Sequence, residues 1–345
     1  MPNEDFQLGQ RVLIWGGTGF IGASLVNFLL RQNANITILT RGDAAHLPAG
    51  VRKVSLGFDR SSEARCIMRR AIEDADVIYN LAGSSGAVAS NQNPVANLEA
   101  NCTWQLELLE ACREAGHCPH VVFASSRLVY GKPRSLPVDE SHVLEPESVY
   151  AVHKFAGEQY HRIYAQSGAI TYTICRISVA YGRDPGVGTK NHGFLNVLLE
   201  NAVNGKQLEV FGSGEQLRDY IHVSDLAKAL ALCGTSPNAR NETFNVGSGA
   251  GIRIADAARM IGELANVPVV YLTWPEEYRQ VETGDFVSDI SRLKQKTGFE
   301  PAKDFLRGIT EEISTLSAAL SFTGAVRPAE GRNLRFDDLS ESTRS

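Results

Sequence analysis

The sequence predicts an α/β fold, in which a doubly wound parallel sheet is followed by a smaller C-terminal lobe. Three observations support this fold class. A glycine-rich turn separates a short apolar strand from an amphipathic helix near the N-terminus. Strand and helix patterns then alternate through the first half of the chain. The length of 345 residues suits one large domain or two modest ones, with ample material for a hydrophobic core.

The composition limits the classes of function. Hydrophobic residues make up 43% and charged residues 21%, as in a soluble globular protein. The net charge of -5 gives no reason to expect nucleic acid or an anionic membrane as a partner. The first residues lack the pattern of a signal peptide, and no apolar run approaches the roughly 18 to 20 residues of a membrane span.

Cysteine and histidine spacing argues against a metal site. The six cysteines are scattered, without a Cys-x-x-Cys pair, and are interpreted as reduced thiols. The eight histidines also lack metal-ligand spacing, since His117 and His120 flank a proline without a second ligand pair. These features together point to a cytoplasmic enzyme with no bound metal.

The first strand, residues 11–15, runs into a glycine turn with the spacing Gly16-x-x-Gly19-x-x-Gly22, and an amphipathic segment follows at residues 23–31. Glycines let the backbone approach a pyrophosphate, and the helix N-terminus offers free N–H groups and a positive dipole end. The alternative is a glycine turn packed for its own sake. The residues that would bind the dinucleotide here are Gly16, Thr18, Gly19, Phe20, Ile21 and Gly22.

The second strand, residues 35–39, ends at Thr40 and Arg41, where the adenosine ribose of a dinucleotide is recognised. An acid at this position would select NAD, whereas an arginine can hold the 2′-phosphate of NADP. The acid is absent, so the cofactor is NAD or NADP, with NADP favoured. Arg41 alternatively stacks on adenine or faces solvent.

The next elements continue the alternation. Residues 51–56 form a third strand, and Asp59 after it either contacts adenine or is a solvated loop acid. Residues 62–73 are helical. A fourth strand, residues 76–80, ends in small residues that suit close passage of the cofactor ribose and nicotinamide, namely Leu81, Ala82 and Gly83.

A long helix is predicted over residues 94–115, with Asn101 as a polar residue inside it. This asparagine either bonds backbone across the sheet, next to the cofactor, or is solvated.

The fifth strand, residues 120–124, ends at Ser125 and Ser126, where open α/β sheets bind ligands. A later helix carries Tyr150 and Lys154, and residues four apart share one helix face. A neighbouring ammonium favours the phenolate and lowers the tyrosine pKa. The alternative is an aromatic and a surface lysine on an amphipathic helix. Residues 170–179 form a sixth strand.

Several motifs follow one another in an order and spacing that is specific only when they are taken together. They are Gly16 to Gly22, Asn80-Leu-Ala-Gly83, Asn101, Ser125-Ser126 to Tyr130-Gly131, Tyr150-Ala-Val-His-Lys154, Tyr181-Gly182, Phe211-Gly-Ser-Gly214, Arg218 to Asp225, Phe244-Asn-Val-Gly247 and Gly298-Phe-Glu-Pro301. With them, residues 11–313 resemble the extended short-chain dehydrogenase/reductase family, in particular its nucleotide-sugar epimerases, dehydratases and ketoreductases.

The resemblance implies a Rossmann nucleotide domain and three catalytic roles. Ser126, rather than Ser125, would hydrogen-bond the sugar oxygen that is oxidised or reduced. Tyr150 would exchange the proton of that oxygen. Lys154 would lower the pKa of Tyr150 and bond the nicotinamide ribose.

On the substrate side, Arg218 resembles the family's diphosphate ligand, and the alternative is a structural salt bridge to Asp219 or Asp225. Asn196 and Arg279 are further candidates for binding the sugar nucleotide. Val179 stands where the family often has an asparagine that touches the sugar, and Glu282 stands where it often has an arginine.

Arg127 and Leu128 follow Ser126 where the sugar 4,6-dehydratases carry an Asp-Glu pair that serves as acid and base for water elimination. Dehydration is therefore not expected.

The expected domains are residues 1–179 with about 220–250 for the nucleotide, and about 180–219 with 251–320 for the substrate-binding lobe. Residues 324–345 would form a polar tail. By analogy with the family, the two long helices at residues 94–115 and 150–166 would pair in a homodimer.

The predicted function is that of an NAD(P)-dependent nucleotide-sugar epimerase, which oxidises and re-reduces a hexose carbon, C4 in the leading hypothesis. One alternative is an NADPH-dependent reductase of an NDP-4-keto-sugar. A second alternative is a non-catalytic dinucleotide-binding sensor, against which the complete Ser126, Tyr150 and Lys154 set argues.

Overall fold

The computed structural model describes residues 9–41, 48–57, 61–183 and 193–322. Asp59 and the expected tail therefore lie outside the described residues. No helix in the described ranges is long and apolar enough to cross a membrane. Within the same ranges, histidine, cysteine, aspartate and glutamate side chains nowhere form a group that could hold a metal ion.

The central element is a seven-stranded sheet in which all pairings are parallel, as the sequence predicted. Its strand order is β10-β6-β5-β4-β1-β2-β3. The order reverses between β1 and β4, so two halves diverge from the middle of the sheet, which is the doubly wound arrangement. The strands of the chain are β1 Arg11–Trp15, β2 Asn35–Thr40, β3 Arg52–Ser55, β4 Val77–Asn80, β5 His120–Ser126, β6 Thr171–Ile177, β7 Val179–Tyr181, β8 Leu208–Phe211, β9 Leu217–His222, β10 Glu242–Val246, β11 Gly251–Arg253 and β12 Val269–Leu272.

Helices cover both faces of this sheet, because its strands are apolar on both sides. On one face, α1 and α8 pack together, and the Ser24 hydroxyl donates to the Val223 carbonyl at 3.3 Å. On the other face lie α2, α5 and α6. The α-helices are α1 Phe20–Arg31, α2 Ser62–Glu73, α3 Ala87–Gln92, α4 Pro94–Leu98, α5 Trp104–Glu114, α6 Val149–Gln166, α7 Phe194–Val203, α8 Val223–Thr235, α9 Ile254–Ala265, α10 Glu276–Arg279, α11 Ser291–Thr297 and α12 Phe305–Phe322.

The second half of the chain builds a separate hydrophobic cluster. Strands β11, β9 and β7 form one small sheet, and β12 pairs with β8 in another. Helices α7, α9 and α12 pack over them around Tyr181, Tyr220 and Phe305. The chain returns to the large sheet through β10, which pairs with β6.

The sixth predicted strand, residues 170–179, is two strands in the structure. Strand β6 ends at Ile177, and the Ser178 amide donates to the Val246 carbonyl at 2.9 Å. Val179 then pairs with Tyr220 in the small sheet. Val179, Ala180 and Tyr181 continue the apolar pattern after the break, so the sequence shows no interruption.

The long helix predicted over residues 94–115 is also interrupted. A π-helical segment, Glu99–Thr103, separates α4 from α5. The side-chain amide of Asn101 donates to the Asn97 carbonyl at 3.2 Å. That carbonyl, four residues back, would otherwise accept the Asn101 backbone N–H, so the side chain competes with the regular helical bond and favours the wider turn.

Candidate active site

The glycine turn after β1 is closed by its own backbone. The Gly19 amide donates to the Gly16 carbonyl at 3.1 Å. Gly16 has φ +89°, and a Cβ there would lie 2.7 Å from the Ala82 amide nitrogen. A Cβ on Gly22 would overlap the Gly16 carbonyl oxygen. Both positions therefore require glycine. As a result, no side chain at Gly16 or Gly22 covers the backbone of the turn.

Helix α1 begins directly at the glycine turn. Its N-cap is Gly19, no side chain caps it, and its first turn carries no acid. Gly19 is exposed, and Thr18, Phe20 and Ile21 around it are partly exposed. Free N–H groups and the positive end of the helix dipole bind phosphate groups. The turn fits the pyrophosphate of a dinucleotide.

The end of β4 meets the π-helical segment. A Cβ on Gly83 would overlap Asn101 Oδ1 and would lie 3.4 Å from the ammonium of Lys154. The Asn101 amide donates to the Ser84 carbonyl at 2.9 Å. Asn101 therefore bonds backbone next to the catalytic helix, which was one of the two interpretations left open by the sequence. Its buried Oδ1 has no hydrogen-bond partner in the described chain.

Leu81 and Ala82 fix this edge of the sheet. The Leu81 amide donates to the Trp15 carbonyl at 2.9 Å, and the Ala82 carbonyl accepts from Gln105 at 3.3 Å. The chain from β4 is thus held beside the glycine turn.

Ser126 and Tyr150 come together at the carboxyl end of β5. The Ser126 hydroxyl oxygen accepts the Leu128 amide at 3.2 Å, and its interaction with the phenol of Tyr150 acts to lower the pKa of that phenol. Tyr150 lies in the first turn of α6, where Ser148 caps the helix by accepting the Ala151 amide at 3.2 Å. The cap and the strand end therefore position the two hydroxyls against each other.

Lys154 is buried one turn further along α6. Its ammonium donates to the Ala124 carbonyl at 2.9 Å and lies 5.8 Å from the centre of the Tyr150 ring. It also lies 5.1 Å from the centre of the Phe123 ring. Burial lowers the pKa of Lys154 to about 8. The pair lies on one helix face, as the four-residue spacing predicted.

The pKa of Tyr150 differs from the expectation. The phenol was expected to have a lowered pKa beside Lys154, but burial raises its pKa to about 12, and the hydrogen bond with Ser126 offsets this only in part. The Lys154 ammonium is directed at the Ala124 carbonyl, so its charge does not overcome the loss of solvation at the phenol.

Thr40 is the last residue of β2, and Arg41 follows it. Thr40 is buried, and the guanidinium of Arg41 lies 5.4 Å from the centre of the Trp104 ring. Trp104 in turn contacts Trp15 edge-on, with ring centres 6.1 Å apart. Arg41 is partly exposed, and none of the carboxylates in the described ranges forms a salt bridge with it. Its guanidinium is thus held over the Trp104 ring at the end of β2.

Arg218 is bound by the protein itself. Its Nη2 donates to both carboxylate oxygens of Glu282, at 2.5 and 2.7 Å, and its Nη1 donates to the carbonyls of Leu217 and Gly284. Arg218 therefore forms a structural salt bridge, which was the alternative interpretation of the sequence. The predicted partner, Asp219 or Asp225, was wrong, because the partner is Glu282. Asp219 instead accepts the amides of Ser248, Gly249 and Ser288, and Asp225 accepts those of Ala302 and Lys303.

The three remaining substrate candidates lie in different places. Val179 begins β7 and is partly exposed. Asn196 on α7 accepts the Gly182 amide at 2.9 Å, directly after β7. Arg279 is exposed on α10 and pairs with Glu276 of the same helix at 2.8 Å. Val179 and Asn196 therefore lie near opposite ends of β7, whereas Arg279 forms a salt bridge with Glu276 at the surface.

Two features near the site escaped the sequence analysis. The first is Arg127, which the sequence showed only as the residue that stands in place of a dehydratase acid. In the structure its guanidinium lies 5.2 Å from the centre of the Phe286 ring. Glu158, four residues after Lys154, accepts the Ser125 hydroxyl at 2.6 Å and a bidentate bond from Arg176. The four-residue spacing of Glu158 from Lys154 could have indicated that both lie on the same face of α6. The buried network of Ser125, Glu158 and Arg176 attaches α6 to β5 and β6.

Known proteins share this architecture and sequence. The model of the NAD dependent epimerase/dehydratase family matches residues 12–247. A putative UDP-glucose 4-epimerase of Methanocaldococcus jannaschii is 31% identical over 69% of this chain and 77% of its own. The UDP-glucose 4-epimerase of Azospirillum brasilense is 30% identical over 90% of this chain and 92% of its own.

Among solved structures, MoeE5 in complex with UDP-glucose and NAD has a TM-score of 0.79 and 26% identity, covering 90% of this chain and 99% of that one. The same protein in complex with UDP-glucuronic acid and NAD also has a TM-score of 0.79, with 25% identity, covering 90% and 100% of the two chains.

Proposed function

Because the chain belongs to the NAD-dependent epimerase/dehydratase family, we propose that it is an NDP-sugar epimerase that oxidises a hexose at C4 and reduces it again on the other face. The observation that carries this proposal is the convergence of the Ser126 hydroxyl, the Tyr150 phenol and the Lys154 ammonium, the last of them beside Gly83 after β4. The named relatives act on UDP-glucose, so a UDP-hexose is the proposed substrate.

The cofactor is a nicotinamide dinucleotide, and the residues fit it. The N-terminus of α1 would hold the pyrophosphate, Arg41 the adenosine end, and Gly83 and Lys154 the nicotinamide end. When bound, the dinucleotide supplies acceptance and return of the hydride. Thr40 and Arg41 support NADP as the preferred form.

In the proposed reaction, Ser126 holds the sugar oxygen and Tyr150 removes its proton. Lowering the phenol pKa from about 12 to about 7 corresponds to about 7 kcal/mol of preference for the anion. Lys154, whose pKa of about 8 keeps most of its population charged at neutral pH, supplies part of this preference. Tyr150 returns the proton when the ketone is reduced, so one residue serves both halves of the reaction.

The main alternative is net reduction of a keto-sugar, which consumes NADPH. Incubation of the purified protein with UDP-glucose or UDP-galactose should interconvert them without net change in nicotinamide absorbance. Tyr150→Phe should lower kcat by about 100-fold or more while dinucleotide affinity is kept. Stoichiometric consumption of NADPH with a keto-sugar, and no interconversion, would contradict epimerisation. Unchanged function in Tyr150→Phe would favour the sensor.

We also propose that the cluster around Tyr181, Tyr220 and Phe305 belongs to the substrate-binding lobe predicted over residues 180–219 and 251–320. Its strand β7 begins at Val179, directly after the sheet that carries Ser126. This continuity supports a substrate cleft between the two regions.

A homodimer is a further proposal. Exposed apolar side chains lie on α4 and α6: Val95 is 77% exposed, Leu98 45%, Val152 47% and Ile163 57%. Val152 and Ile163 are eleven residues apart, which places them on one face of α6. These are the helices that the family resemblance assigns to the dimer contact.

A further inference from the structure

Arg127 is an arginine without a carboxylate partner, located directly after the catalytic Ser126. Its Nη1 donates to the Thr283 hydroxyl at 3.1 Å, and its plane lies over Phe286. In the part of the chain that the structure describes, no acid forms a salt bridge with it. A guanidinium has five N–H donors, so most of them have no acceptor in these ranges.

The environment of Arg127 disfavours an unpaired cation. Burial and the neighbouring charge of Arg218 lower the pKa of Arg127 to about 9, and Glu282 offsets this only in part. The residue is nevertheless partly exposed, so a ligand can reach it. A partly buried cation with few hydrogen-bond partners is stabilised when an anion binds it.

Arg218, in contrast to Arg127, has a carboxylate partner within the protein. Four of its N–H donors are used by Glu282, Leu217 and Gly284, and Glu282 is itself fixed by the Gly284 amide at 2.8 Å. The Arg218 charge is therefore neutralised within the protein, in a side chain that is only 7% exposed. A substrate anion could reach this fork only by displacing Glu282.

We propose that Arg127, rather than Arg218, is the residue that binds an oxyanion of the sugar nucleotide and so determines substrate specificity. This inference rests on the proposed function. The oxyanion is either a diphosphate oxygen or a carboxylate on the sugar, since both accept the same bidentate guanidinium bonds. Glu282 withdraws Arg218 from this role.

The test is binding of UDP, UDP-glucose and UDP-glucuronic acid to the full-length protein by calorimetry, which requires no turnover. For Arg127→Gln we expect a loss of affinity of about 10- to 100-fold, from the removal of a charge-assisted hydrogen bond. An equal loss for all three probes identifies the diphosphate as the anion. A loss confined to UDP-glucuronic acid identifies the sugar carboxylate.

Glu282→Gln is the complementary variant. It should tighten UDP binding by about threefold or more, because it releases the charge of Arg218. Arg127→Lys keeps the charge without the planar fork and should give an intermediate affinity. Dinucleotide binding and the melting temperature show whether each variant is folded, and Arg127→Lys replaces Arg127→Gln if the latter does not fold.

Two results would overturn the inference in distinguishable ways. Unchanged affinity of Arg127→Gln for all three probes, with a large loss in Arg218→Gln, would return the anion site to Arg218 and leave the epimerase proposal standing. A wild-type protein that binds none of the probes would reject the proposed function and this inference with it.

Discussion

At the residue scale, the site is governed by the loss of solvation. Tyr150, Lys154 and Arg127 all have a pKa shifted toward the neutral form, and burial is the largest cause for each. The protein itself therefore provides a site in which charge is unfavourable until a charged ligand enters. This is the condition under which a cation beside a phenol has a large effect on proton transfer, because the effective dielectric constant is low.

The pH dependence of stability should report the buried lysine. Because the pKa of Lys154 falls from 10.5 to about 8 on folding, the unfolded chain binds more protons between these values, and stability rises with pH there. At pH 7 the buried charge costs stability, so Lys154→Met should melt at a higher temperature than the wild type. The difference should shrink as pH rises from about 8 to about 10.5.

Melting curves at several pH values measure this effect. Lys53→Met, at an exposed lysine, is the control and should give the same difference at every pH. A Lys154→Met variant that is less stable than the wild type at pH 7 would show that the bond to Ala124 outweighs the cost of burial.

Arg41 is the residue on which the proposed preference for NADP depends. Arg41→Ala should weaken NADP binding by about tenfold or more and change NAD binding little, because a single charge-assisted phosphate contact is removed. Fluorescence titration with both dinucleotides measures this. Arg31→Ala is a suitable control, since Arg31 is an exposed arginine at the far end of α1. Equal losses for NAD and NADP would mean that Arg41 stacks on adenine and does not discriminate.

At the element scale, the π-helical segment Glu99–Thr103 connects the sheet to the catalytic helix. It turns the Asn101 amide toward the Ser84 carbonyl and places Oδ1 against Gly83. One residue before the segment's end, Cys102 lies against the His153 carbonyl of α6. A regular helix would rotate these side chains away, so the extra residue in this turn determines which groups lie beside Gly83, where the nicotinamide is proposed to bind.

Replacement of Asn101 should therefore weaken dinucleotide binding more than it lowers the stability of the fold. Asn101→Ala should weaken dinucleotide binding by about tenfold, since the backbone at Ser84 loses its hydrogen bond. The melting temperature should change by only a few degrees, because a buried unpaired oxygen is removed at the same time. Asn93→Ala, at an exposed asparagine before α4, is the control. Unchanged binding in Asn101→Ala would make the π-helical segment a packing feature only.

At the scale of the whole molecule, apolar side chains on α4 and α6 remain exposed although the sheet faces are covered. Association of two copies through these helices would bury them and would also restrain α6, which carries Tyr150 and Lys154. The proposed dimer therefore links assembly to the active site.

Light scattering after size exclusion tests this assembly. Ile163→Glu should convert a dimer into a monomer, because a charge on α6 would be buried in the contact. Leu264→Glu, at a comparably exposed leucine on α9, should leave the dimer intact. A monomeric wild type, or a dimer that survives Ile163→Glu, would place the contact elsewhere or remove it.

The parallel sheet, the glycine turn and the shared helix face of Tyr150 and Lys154 were predictable from the sequence alone. These follow from local periodicity and from the backbone freedom of glycine, both of which are properties of neighbouring residues. The family membership followed from the joint order of the motifs along the chain.

The partner of Arg218, the raised pKa of Tyr150 and the division of the sixth strand could not be predicted from the sequence. Arg218 and Glu282 are 64 residues apart, so no local pattern joins them. The pKa of the Tyr150 phenol is raised because surrounding elements bury it. Val179 belongs to the small sheet, and not to the large one, because it pairs with Tyr220. Each of these outcomes depends on contacts between distant segments, which exist only once the chain has packed.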